Sequence, residues 1–76
     1  METIYEILTE LRPEFDFKES KNYIEDGYLD SFDIVNLVSE LESKYDILID
    51  ALDIVSDNFI SADAICTLVE KCGGTV

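Results

Sequence analysis

Histidine and tryptophan are absent from this chain, proline occurs once, at Pro13, and glycine only three times. The missing histidine removes a Ser-His-Asp triad, a Cys-His dyad and the common zinc ligand sets together. No Gly-x-Gly-x-x-Gly or Walker-type lysine motif occurs, so the standard nucleotide cradles are excluded as well. Basic residues are scarce: Arg12, Lys18, Lys21, Lys44 and Lys71 stand against 18 Asp and Glu, a formal net charge of −13, and they form no cluster. Such a chain is repelled by nucleic acid and by an anionic membrane surface. No apolar run approaches the roughly eighteen residues of a membrane span, and Met1 is followed by Glu2 rather than by a basic and then apolar segment. No membrane insertion is expected, and the expected compartment is the cytoplasm. The two cysteines, Cys66 and Cys72, are read as reduced. On one helix, six residues at 1.5 Å rise would part their α-carbons by about 9 Å, beyond the roughly 7 Å a disulfide tolerates.

What is present is enough apolar sequence to fold. Apolar residues make up 47 % of the 76 residues and come in short periodic groups rather than in one block. The length is about half that of an ordinary domain, so residues 1–76 are expected to form one unit with a small core and its function on the surface.

Ile4, Ile7, Leu8 and Leu11 follow helical spacing, and Thr3 with Glu6 has the form of a capping box, which predicts a first helix from about Thr3 to Leu11. Pro13 ends it. From about 13 to 30 no period is sustained; Phe15, Phe17, Tyr23 and Ile24 are scattered among charges, with a turn signal at Asp26-Gly27. A loop this long in so small a domain points to function. Ile34, Leu37, Val38, Leu41 and Tyr45 mark a second helix, capped by Asp30 or Ser31. Ile47 and Ile49 alternate like a strand, but a lone strand has no partner, so a loop and a helix of one to two turns within Ala51 to Asp57 are expected. Ser61 caps a last helix carrying Ile65, Leu68 and Val69, with Lys71 in its final turn and Gly73 as the stop; the tail 73–76 is expected to fray. Each helix is too short to persist alone, so the fold expected is all-α, a small antiparallel four-helix bundle with three longer helices and one short. Ile7, Leu11, Leu37, Leu41, Phe59, Ile65 and Leu68 are assigned to its core.

Asn22 to Asp33 places Gly27 sixth in a twelve-residue acidic stretch, as in a calcium-binding loop. Ile24 at the third position and the short Asp33 at the twelfth supply the wrong ligands, so no metal site is read there.

Where the loop meets the second helix the chain reads Gly27-Tyr28-Leu29-Asp30-Ser31-Phe32-Asp33-Ile34-Val35. Here it resembles the acyl carrier proteins, including the peptidyl and D-alanyl carriers, whose mark is Asp-Ser-Leu or a close variant at the start of the second helix. The resemblance covers the whole chain: its length, the helix order, Glu42, Tyr45 and Ile49 after the motif, and Asn58-Phe59 followed by Ser61. It implies that Ser31 receives 4'-phosphopantetheine from coenzyme A through a phosphodiester bond, and that the thiol of this arm holds acyl or aminoacyl groups as thioesters. The chain is then no enzyme but a monomeric substrate carrier. Its implied partners are a phosphopantetheinyl transferase and an adenylating ligase, an acyltransferase or a ketosynthase. Asp30 is implied to help hold the transferase's magnesium, and Phe32, Asp33, Val35, Asn36, Ser39, Glu40 and Glu42 to form the partner-facing surface.

Each of these residues also has a plainer reading. Ser31 and Asp30 can serve as helix caps. Phe32 and Val35, off the main stripe, either pack beneath the loop or form an exposed apolar contact. Asp33, Glu40 and Glu42 can be a solvated face. Asn36, Ser39 and Asp50 stand where the fatty-acid type commonly has Glu, Met and Pro, so a carrier working with an adenylating ligase in an amino-acid or secondary-metabolite pathway, with an aminoacyl or D-alanyl cargo, is read as an equal alternative to a fatty-acid carrier. An unmodified acidic adaptor for a basic protein is the alternative from a different class.

Overall fold

The computed structural model describes residues 2–75. Helix α1 spans Glu2–Leu11, α2 Ser31–Tyr45 and α3 Ala62–Lys71, with single 3₁₀ turns at Ala51–Asp53 and Ser56–Phe59; no strand occurs among the described residues. Helix α1 packs on both α2 and α3. The chain is thus all-helical with three α-helices. In place of the one short helix expected within Ala51 to Asp57 stand two separate turns. Asp50 starts the first by accepting the Leu52 amide at 2.9 Å, and the Asn58 side-chain amide donates to the Asp53 carbonyl at 2.7 Å, tying the two together.

The stripes read from the sequence face inward. Ile4, Ile7 and Leu8 of α1, Ile34, Leu37, Val38 and Leu41 of α2, and Ile65, Leu68 and Val69 of α3 are buried around Phe59, which is fully enclosed. Leu11 only half enters this core. Because α1 already includes Glu2, Thr3 lies inside its first turn and is not the cap of a box with Glu6. At the other end the Arg12 amide still donates to Leu8, and Pro13 stops the helix.

Asp46 closes α2 in the left-handed region, φ 53°, a conformation a short polar side chain tolerates. Beyond it Ile47 and Ile49 are buried and Leu48 is exposed. Burial on one side of the connector therefore accounts for the alternation that looks like a strand. Ser61 caps α3 by accepting the Ala64 amide at 3.1 Å. The tail turns back after Gly73, φ 95°, and the Gly74 amide donates to the Val69 carbonyl at 2.8 Å. A side chain at Gly74 would collide with Val69, so at least this first part of the tail is packed. Val76 lies outside the described residues.

The segment between α1 and α2 is structured by aromatic packing. Phe15 stacks on Tyr28 with ring centroids 4.4 Å apart, and Phe17 meets Tyr23 and Tyr28 edge-on at 5.0 and 5.5 Å. Tyr23 anchors the segment through its backbone: its amide donates to Ile60 at 2.7 Å, and its carbonyl accepts the amides of Tyr28 and Leu29. Its hydroxyl donates to the Phe17 carbonyl at 2.8 Å inside the core, and burial pushes that hydroxyl's pKa up to about 12. Gly27, φ 75°, makes the reversal between Tyr23 and Tyr28 without the steric cost a side chain would bring. Asn22 spends its side-chain oxygen on the amides of Ile24 and Glu25, a local turn. Among the described residues no group of three or more Asp, Glu or Cys side chains is placed to hold a metal ion.

Candidate functional site at the start of helix α2

The aromatic segment delivers the chain to α2 with Leu29 buried, and this fixes where the helix begins. Asp30 is extended, φ −114°, and is the N-cap. Its Oδ1 accepts the Asp33 amide at 2.9 Å, and Asp33 Oδ2 accepts the Asp30 amide at 3.2 Å. This is a capping box with Asp in the place usually held by Glu or Gln.

Capping is thereby discharged by Asp30 and not by Ser31. Ser31 is the first residue of the helix and is exposed, and its hydroxyl makes no hydrogen bond among the described residues. The amides of Ser31 and Phe32 belong to the first turn, where helices leave donors unpaired and favour negative charge. Beside Ser31 and Asp30 lies an open depression of about 330 Å³ walled by Ile24, Leu29, Ile34 and Ser56. A larger depression of about 370 Å³ runs past Tyr5 and Glu6 of α1 and Lys18 of the segment after it, away from this serine.

Asp33 departs from its reading as a solvated acid. It is 5 % exposed, because it turns under the helix start toward Arg12. Arg12 Nε lies 3.1 and 3.0 Å from its two oxygens, and Nη2 lies 2.8 Å from Oδ2. The remaining guanidinium edge meets Glu14 at 3.2 Å, and Nη2 stands 3.7 Å from Asp30 Oδ2. Burial alone would push the Asp33 carboxyl up; the hydrogen bonds from Arg12 and the Asp30 amide outweigh it and hold the group below the usual carboxylate range. The Arg12 guanidinium is correspondingly raised, first by its hydrogen bond to Asp33 and then by that to Glu14.

Phe32 and Val35 stand in solvent rather than beneath the loop, 72 % and 66 % exposed. Ser39, one turn further along their face, and Glu40 are exposed, and Asn36 is half-buried. Glu42 is partly withdrawn: its Oε2 accepts the Ile49 amide at 2.9 Å and so holds the connector after α2. The sequence reading did not single out Arg12 for the site, nor the exposed Leu52 in the first 3₁₀ turn and Val55 just before the second. The position of Arg12 between the end of α1 and Pro13 was visible, but nothing in sequence links it to a residue 21 positions away.

Compared with models of protein families, with curated proteins and with solved structures, the chain finds no match. No described helix is long and apolar enough to cross a membrane.

Proposed function

We propose that the chain is a freestanding carrier protein of the acyl carrier type, bearing 4'-phosphopantetheine on Ser31. The observation that carries this reading is the division of labour at the start of α2: Asp30 caps the helix, so the Ser31 hydroxyl is left exposed and uncommitted at a helix N-terminus. A serine there needs no local base, since the transferase supplies catalysis. The hydroxyl oxygen forms the new bond to the pantetheine-side phosphorus of coenzyme A, the phosphoanhydride bond breaks with 3',5'-ADP as the leaving group, and the hydroxyl proton passes to a base of the transferase. The first-turn amides suit the resulting phosphodiester, and the neighbouring depression offers the arm a partly apolar wall. Arg12 offsets one of the two nearby acids. Asp30 keeps Oδ2 out of the cap, with only the longer 3.7 Å contact to Arg12, so that oxygen can turn to the magnesium of a transferase complex.

In this reading the two 3₁₀ turns take the place of the short helix in a four-helix carrier, and the protein acts in the cytoplasm as a monomer that serves enzymes without being one. Phe32, Val35, Asn36, Ser39 and Glu40 form the docking face for the transferase and for an adenylating ligase, an acyltransferase or a ketosynthase. Asp50 caps a 3₁₀ turn where the fatty-acid type has proline, and Ser39 exposes a hydroxyl where that type has methionine. These departures favour an aminoacyl or D-alanyl cargo. The exposed Phe32 and Val35 also favour a second reading, an unmodified adaptor that grips a basic protein.

Intact-mass measurement after incubation with coenzyme A and a broad-specificity phosphopantetheinyl transferase separates the two. The carrier gains one phosphopantetheine adduct, lost in Ser31→Ala; native protein without an adduct is the adaptor.

A further inference from the structure

We infer that Arg12 is a positioning residue for Ser31, an inference that rests on the carrier reading of that serine. Its guanidinium holds the nearly buried Asp33 carboxylate, Asp33 holds the Asp30 amide, and this chain fixes the turn from which the Ser31 hydroxyl is offered.

Arg12 is well placed to transmit position. Its backbone amide is bonded to Leu8, so it rides on the end of α1, and α1 is packed on α2. Its side chain then crosses to the other end of the intervening segment and grips Asp33 through both Nε and Nη2. Glu14 takes Nη1, which orients the planar fork from the opposite edge. The other basic side chains with recorded ion pairs serve elsewhere: Lys18 faces Glu2, and Lys71 faces Asp53. Asp33 is the one charged residue in the buried set among the described residues. Such a carboxylate is stable only while it is paired. Without the guanidinium it retains the Asp30 amide as its hydrogen-bond donor and must take up a proton or swing out to water. Swinging out breaks the bond to the Asp30 amide, and with it half of the box that defines the helix start. Ser31 is the next residue.

A transferase that must align this hydroxyl with a phosphoanhydride is sensitive to misplacement of a fraction of an ångström. Loss of Arg12 therefore acts on kcat for modification. Removing a positive charge from an acidic substrate leaves KM for a basic enzyme unchanged or lower.

The test compares native protein, Arg12→Gln and Arg12→Lys as transferase substrates, at a temperature where circular dichroism shows all three fully folded. Arg12→Gln is expected to lose about tenfold in kcat with KM not raised, and Arg12→Lys, which restores charge without the fork, to fall between. Amide hydrogen exchange in the same proteins is expected to quicken about fivefold at Asp33 and Ile34 while Ile65 to Val69 of α3 stay unchanged. If native protein is modified and Arg12→Gln is modified equally fast, or if exchange quickens uniformly instead of at the start of α2, Arg12 is a general stabiliser and the inference is overturned alone. Native protein that takes no adduct overturns the carrier reading and this inference together.

Discussion

Replacing Ser31 by alanine separates chemistry from stability more cleanly than any other change in this chain. The hydroxyl removed is exposed and bonded to nothing described, and the cap beside it belongs to Asp30. Two small terms remain: loss of hydration around one hydroxyl, and the better helix propensity of alanine over serine, which is about 0.5 kcal/mol in a helix interior. The expected change in unfolding free energy is therefore within about 0.5 kcal/mol of zero. Ser61→Ala is the matched control. It deletes the 3.1 Å bond to the Ala64 amide at the start of α3 and is expected to cost about 1 kcal/mol, a fall of roughly 4–8 °C in Tm for a domain of this size. The assay pairs urea unfolding followed by circular dichroism with intact mass after transferase treatment. Ser31→Ala should keep its midpoint and take no adduct; Ser61→Ala should lose stability and be modified as native protein is. A Ser31→Ala protein destabilised by more than about 1 kcal/mol would show that Ser31 shares the cap, and an adduct on that variant would place the attachment elsewhere.

Three further outcomes follow from the charges. Because the folded pKa of Asp33 lies below its unfolded value, its contribution to stability is present above the unfolded pKa, near 4, and is lost as pH falls through the folded one; urea midpoints measured from pH 6 to 2 should show native protein losing its advantage over Asp33→Asn on acidification, and a constant gap would refute the pairing. Glu40→Lys should slow modification by a basic transferase at low salt through association, with stability unchanged, whereas Glu42→Lys should also lower Tm because Glu42 holds the Ile49 amide; equal melting of the two variants would deny Glu42 that role. With a net charge of −13 on so small a body, Tm should rise with added monovalent salt, and a flat dependence in calorimetry would mean that the acids are too dispersed to repel.

The helices were legible because their signal is local. Ile34, Leu37, Val38 and Leu41 lie one turn apart and share a face whatever surrounds them, so α2 and its buried stripe follow from spacing alone. The segment before α2 was not legible for the opposite reason. Phe15, Phe17, Tyr23 and Tyr28 form a cluster whose members obey no period, and each is placed by a turn geometry that only the assembled backbone defines. The radius of gyration, 11.1 Å, is close to the roughly 11 Å of a compact chain of this length, so that segment adds to the body rather than looping away from it. The region after α2 falls between the two cases: burial of Ile47 and Ile49 was visible as alternation, but the choice of two 3₁₀ turns over one helix is settled by the Asp50 cap and the Asn58 bond, contacts too local for a hydrophobic pattern to show.

Charge is where composition misleads most. Counted from the sequence, Asp30 and Asp33 are two equal acids flanking Ser31, and both would repel an incoming phosphate. Folded, they differ in kind. Asp33 is enclosed and paired with Arg12, while Asp30 remains in solvent with one oxygen in the cap. Arg12 thus stands among three acids, Asp33 at 2.8 Å, Glu14 at 3.2 Å and Asp30 at 3.7 Å, beside the positive end of α2, so the acids near the serine are partly offset rather than bare. The same pairing moves the apolar and acidic surface open to a partner outward along α2, to Phe32, Val35 and Glu40. A chain that carries so many acids can thus offset part of the charge at the start of α2 while leaving Glu40 exposed further along the helix, which is the distribution the carrier proposal requires.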